Sequence, residues 1–88
     1  MNISYDETVR IIMDKVKREI RAEHDIEASA SLADLGLGSL AMVSLIIEFE
    51  EHFDISYEDN EMLFEHFSTI QKITERIMGK LSSQINQN

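Results

Sequence analysis

Residues 40–53 run for fourteen positions without glycine or proline, and within them Met42, Leu45, Ile46, Phe49 and Phe53 recur at helical intervals. That spacing is the buried stripe of an α-helix. Gly36 and Gly38 stand just before it and read as the end of a loop, so the helix starts at or beside Ser39. Serine is a favoured N-cap, and the plainest role for Ser39 is to accept a bond from an orphan N–H of the first turn. A second apolar set, Leu40, Val43 and Ile47, lies on a face of the same helix rotated away from the first. A helix in a small domain needs only one buried stripe. The second set is therefore either more core or a docking surface beside the Ser39 hydroxyl.

The remainder of the chain supplies partners for that helix. Ser4 with Glu7 has capping-box spacing, and Val9, Ile12, Met13, Val16 and Ile20 form one stripe of a helix from about Tyr5 to Glu23. Its other face carries Arg10, Asp14, Lys17, Arg18 and Arg21 and reads as solvated. From His24 to Gly38 the helical period fails, which predicts a long loop with Ile26, Leu32, Leu35 and Leu37 as anchors to the core. A short helical piece is expected over 60–66, with Met62, Leu63, Phe64 and Phe67 as further anchors. Ser68 with Gln71 again has capping-box spacing, and Ile70, Ile73, Ile77 and Leu81 stripe a last helix to about Leu81. Residues 82–88 are polar and amide-rich and are expected to be a disordered tail beyond a single domain over 1–81. The fold class is all-α: a small four-helix bundle of three long helices and one short, with a long loop between the first two.

Charge and composition remove several function classes. All eight basic residues lie in two end blocks, whereas residues 22–71 contain twelve Asp and Glu and no Lys or Arg. A nucleic-acid partner calls for the opposite sign. No apolar run reaches membrane-helix length and no apolar leader is evident, which predicts a soluble cytoplasmic protein that does not engage a membrane. There is no cysteine, so any thiol chemistry arrives on an attached group. His24, His52 and His66 do not share helical spacing, and the acidic run 54–61 lacks the glycine and terminal glutamate of a calcium loop, so no metal site is expected. Glu50 and Glu51 read as a solvated face more than as acid/base residues, and no nucleophile–base pair marks an enzyme.

The run Asp34-Leu35-Gly36-Leu37-Gly38-Ser39-Leu40, with Val43, Leu45 and the ending Glu50-Glu51-His52-Phe53-Asp54-Ile55, closely resembles the acyl and peptidyl carrier proteins of fatty-acid, polyketide and nonribosomal peptide synthesis. Phe67-Ser68-Thr69-Ile70 is similar to the sequence that opens the last helix in many of them, and the length is that of a free-standing carrier. The resemblance covers roughly Asp6 to Leu81. It implies that Ser39 accepts a covalent 4′-phosphopantetheine arm from coenzyme A, as an acceptor and not a catalyst. It implies docking through Leu40, Val43 and Ile47, with charge from Glu48 and Glu51, because Ala41 and Ser44 stand where carriers commonly have acids. Another departure is Gly38, where many carriers have aspartate and peptidyl carriers often histidine. The implied partners are a phosphopantetheinyl transferase, an acyl-loading or adenylating enzyme, and synthase or condensing enzymes, all served by a monomer. The lean is toward polyketide or nonribosomal peptide synthesis. The alternatives are a fatty-acid carrier or a helical adaptor that bears no prosthetic group.

Overall fold

The computed structural model describes residues 3–85 and holds three α-helices: α1 (Tyr5–Ile20), α2 (Ser39–Phe53) and α3 (Ile70–Ile85). No strand occurs among the described residues. Helix α1 begins with the expected capping box, Ser4 Oγ accepting from the Glu7 N–H at 3.1 Å and Glu7 Oε1 accepting from the Ser4 N–H at 3.3 Å. Ser4→Ala removes one of these and leaves a first-turn donor unpaired. It is expected to cost about 1 kcal/mol, read as a lower melting temperature; an unchanged midpoint would show that the cap contributes nothing. Helix α1 stops three residues earlier than expected. Arg21 takes the left-handed conformation at φ 58°, and the Ala22 N–H closes back on the Lys17 carbonyl.

The apolar stripes meet in one core. Ile12, Met13 and Val16 of α1, all five stripe residues of α2, and Ile70, Ile73, Ile77 and Leu81 of α3 are buried, while Val9 and Ile20 pack at the edge. Thr8 and Thr74 are also fully buried, and each donates its hydroxyl to the carbonyl four residues back, so neither leaves an unpaired polar group inside. Thr8 Oγ1 lies 3.2 Å from Met78 Sδ, which brings the start of α1 beside the far half of α3. At the other end, the loop after α1 hydrogen-bonds to the start of α3: Gln71 N–H donates to the Ala28 carbonyl and Leu32 N–H to the Ser68 carbonyl. Helix α1 therefore runs antiparallel to α3. Lys80 Nζ reaches the Ser56 carbonyl just past the end of α2, so α2 runs with α3. The C-terminus of α1 and the N-termini of α2 and α3 thus share one end of the bundle, with Ser39 at that end.

Several expectations are corrected. The element over 60–66 is not an α-helix but two 3₁₀ turns, Asp59–Glu61 and Phe64–Phe67, separated where Leu63 becomes extended. Met62, Leu63 and Phe64 are consecutive and cannot share one helical stripe; all three remain exposed, and of the four expected anchors only Phe67 is buried. Two core residues belong to none of the expected stripes or anchors: Ile55 and Tyr57, buried at alternate positions of the segment that follows the left-handed Asp54. Tyr57 packs on Phe67 at 5.4 Å, and its N–H is held by Glu50 Oε2 at 2.9 Å. In the loop, Ile26, Leu32 and Leu37 are buried as expected, but Leu35 is exposed. Ser68 does not cap α3, because its hydroxyl donates to the Glu65 carbonyl; Thr69 Oγ1 takes the Lys72 N–H in its place. Helix α3 continues to Ile85, four residues past its expected end, and residues 86–88 of the expected tail lie outside the described residues.

One carboxylate ties the 3₁₀ segment to α3. Glu61 accepts from the Glu58 N–H at 2.8 Å, Lys80 Nζ at 2.6 Å and Arg76 at 3.0 Å. The Glu58 N–H and these two cations lower its pKa from 4.5 to about 2. Because the folded value is the lower one, the stabilisation is fully present above pH 4.5 and is lost as pH falls through about 2. The expected loss is on the order of 1–2 kcal/mol after solvent screening. A Glu61→Gln variant is expected to lose stability at pH 7 and to show a flatter acid limb in urea melts; an identical acid limb would rule out Glu61 as its source.

Candidate attachment site at the start of α2

The approach to Ser39 is built by the loop. Leu32 accepts two backbone bonds, from Leu35 at 3.1 Å and from Leu37 at 2.9 Å, and Gly36 turns the chain between them at φ 107°. That is a backbone conformation glycine adopts without strain. Leu37 is thereby driven into the core directly before Gly38 and Ser39. The hydroxyl-bearing residue is anchored from both sides, by Leu37 ahead of it and Met42 behind.

Ser39 is not the N-cap. Gly38 holds that position in extended geometry, φ −92° and ψ 176°, with its carbonyl accepting from the Met42 N–H at 3.0 Å. Ser39 is the first helical residue, exposed, and its hydroxyl has no hydrogen-bond partner among the described residues. The N–H groups of Ser39, Leu40 and Ala41 are likewise unpaired there. No acidic residue sits in the first turn of α2 to meet the positive end of the helix dipole. A phosphodiester on Ser39 would find open donors and a favourable dipole at this point. Space is available too, since a Cβ built on Gly36 or Gly38 would meet nothing within 4 Å. The residues present therefore fit a phosphate-linked arm. Gly38 adds no side-chain ligand to the site.

The second stripe of α2 is surface. Leu40 is 86% exposed, Val43 50% and Ile47 51%, and Glu51 lies on the same helical face. Glu48 does not share that face: it is turned toward α1, where it pairs with Lys15 and Arg18, each at 3.6 Å. Of the five residues expected to form one docking surface, four come together and Glu48 is occupied within the fold. Exposed Met62, Leu63 and Phe64, read from sequence as core, were missed as surface; their consecutive placement was the available signal. Glu50 is half-buried and committed to Tyr57, which removes it as a free acid. Among the described residues, no three His, Asp or Glu side chains are grouped to hold a metal ion, and no helix is long and apolar enough to cross a membrane.

The sequence pattern of one protein family, described as the phosphopantetheine attachment site, matches residues 10–77, a span that includes Ser39 and all of α2. The chain is also similar to an acyl carrier protein of Amoebophilus asiaticus, 36% identical over 77 residues, covering 86% of this chain and 90% of that protein. It is 26% identical over 81 residues to aminoacyl carrier protein 2 of Bradyrhizobium diazoefficiens, covering 92% and 91%. To aminoacyl carrier protein 1 of the same organism it is 32% identical over 57 residues, covering 65% and 63%.

Proposed function

Because this chain belongs to the phosphopantetheine attachment site family of carrier proteins, we propose that Ser39 is the residue that bears the arm and that the chain presents an acyl or aminoacyl group to partner enzymes in polyketide or nonribosomal peptide synthesis. The observation that carries this reading is the exposed, unpartnered hydroxyl on the first turn of α2, beside three free backbone donors. Ser39 supplies only the accepting oxygen. The transferase brings the base and the metal, since no histidine stands beside Ser39 in the sequence to activate it. Once attached, the arm offers a thiol on which the group is held as a thioester. The N–H groups of Ser39, Leu40 and Ala41 would stabilise the phosphodiester charge, and Leu37 in the core would keep the attachment point fixed at one end of the bundle. The amino-acid branch is favoured over fatty-acid synthesis by the two relatives named as aminoacyl carriers.

The partners are a phosphopantetheinyl transferase, a loading or adenylating enzyme, and a condensing or synthase enzyme, met by a cytoplasmic monomer through Leu40, Val43, Ile47 and Glu51. Incubating the purified chain with coenzyme A and a broad-specificity transferase is expected to add the mass of one phosphopantetheine. No gain with a panel of transferases would reject the reading. Val43→Asp puts a charge on the docking face but leaves the core untouched, so stability is expected to stay within about 0.5 kcal/mol. Transfer to a partner enzyme is expected to fall about tenfold, in line with the 1–3 kcal/mol cost of an unpaired polar group at an interface. Unchanged transfer would show that this face is not the one used.

A further inference from the structure

Two carboxylates near the exposed apolar face of α2 meet different fates. Lys15 and Arg18 stand three residues apart on α1, and both turn to Glu48 Oε1, each at 3.6 Å. Glu51 lies on the face with Leu40, Val43 and Ile47, is exposed, and forms no ion pair among the described residues. It shares with Lys15, Glu48 and His52 a hollow of about 290 Å³ between α1 and α2, so all four groups bear on what a partner meets at this edge. By formal count with the imidazole neutral, two cations and one carboxylate leave Lys15, Arg18 and Glu48 together at +1. Adding Glu51 brings the edge to zero, in a chain whose net charge is −9.

The neutralisation of Glu48 is not easily undone. The Lys15 side chain is 15% exposed, and a cation so far out of water is costly without a partner. Glu48 is the one acid paired with it among the described residues. A docking protein that took Glu48 for its own cation would strand Lys15 and gain little. Arg18 is 68% exposed and sets a second positive charge at the rim, where it repels an incoming base. Glu51 carries neither constraint.

Residues 22–71, with twelve acids and no Lys or Arg, call for a basic partner surface. We infer that Lys15 and Arg18 are specificity-determining residues of the docking face. By occupying Glu48 they leave Glu51 as the unpaired carboxylate beside Leu40, Val43 and Ile47. The face therefore selects a partner that brings apolar side chains and a single cation, and disfavours one that brings a second cation to the α1 side. This rests on α2 presenting the face that partners use.

The test is the rate at which a broad-specificity transferase adds phosphopantetheine to the intact chain, followed by intact mass at low and at high salt, with a thermal melt of each variant. Lys15→Gln with Arg18→Gln is expected to raise kcat/KM about 3–5-fold at low salt, the scale on which exposed ion pairs act, and to lose most of that gain at high salt. Lys72→Gln with Arg21→Gln removes the same charge from residues that hold no ion pair among those described, and is expected to raise it less than about 1.5-fold. Glu51→Gln is expected to slow the reaction in either background, and Glu48→Gln to slow it more in the Lys15, Arg18 double variant than in the unsubstituted chain. Arg18→Gln alone, at an exposed position, is expected to give a gain of about 1.5–2-fold and keeps the test open if the double variant melts early. A gain no larger than that of the charge-matched control, or an equal effect of Glu48→Gln in both backgrounds, overturns the inference and leaves the attachment reading standing. A chain that gains no arm in any form rejects the Ser39 reading and this inference with it.

Discussion

Replacing Ser39 with alanine is expected to abolish the phosphopantetheine mass gain completely, while the circular dichroism spectrum and melting temperature remain those of the unsubstituted chain. The first half follows from chemistry: alanine offers no oxygen to phosphorus. The second half follows from where the structure puts the hydroxyl. As the N-cap of α2, Ser39 would stabilise the helix by about 1 kcal/mol, and its loss would lower the melting temperature measurably. Gly38 holds the cap position and the Ser39 hydroxyl has no partner within the described fold, so its removal is expected to change stability by less than about 0.5 kcal/mol. Alanine is also a good helix former at a first-turn position. Intact mass and a thermal melt on the same sample check both halves. Full modification of the alanine variant would move the attachment to another hydroxyl. A clear loss of stability would show that the serine is structural after all.

Phe49→Ala is expected to have the largest effect on the fold. Phe49 is fully buried at the centre of the α2 stripe, its ring 6.4 Å from that of Phe53, and it faces a core built from all three helices. Truncation removes the apolar surface and leaves a cavity that rigid neighbouring helices cannot fill, a cost of about 3–5 kcal/mol. A chain of this length has roughly 4–13 kcal/mol of stability in total. The melting temperature is expected to fall by about 15–30 °C. Val43→Ala, on the exposed face of the same helix, is the control and should shift the midpoint by no more than a few degrees. A small shift for Phe49→Ala would mean that α2 does not pack into the shared core as described.

Periodic features were legible from the chain alone. The buried set of α2 is the set that the spacing picked out, residue for residue, and the Ile70, Ile73, Ile77 and Leu81 stripe of α3 is buried as read, with Thr74 added to it. The α1 cap was equally plain, since Ser4 and Glu7 act on each other across three residues. The errors fall where local preference has competitors. Ser68 and Thr69 both can cap a helix, and the choice was made by the bond Ser68 gives to Glu65. The 60–66 segment has apolar residues without a period, and its course was decided by Glu61, pulled between Glu58, Arg76 and Lys80.

The candidate site divides in the same way. An all-α chain, its three helical stripes and the serine beside the glycines can be read along the chain, because these depend on interactions between residues a few positions apart. Packing decided that Leu40, Val43 and Ile47 are surface and that Glu48 is spent on Lys15 and Arg18. Which of two apolar faces is buried, and which carboxylate is free, depend on what stands opposite in space. Helical period fixes a side chain's direction around its own axis, but the neighbour it meets there is set by how the helices are packed.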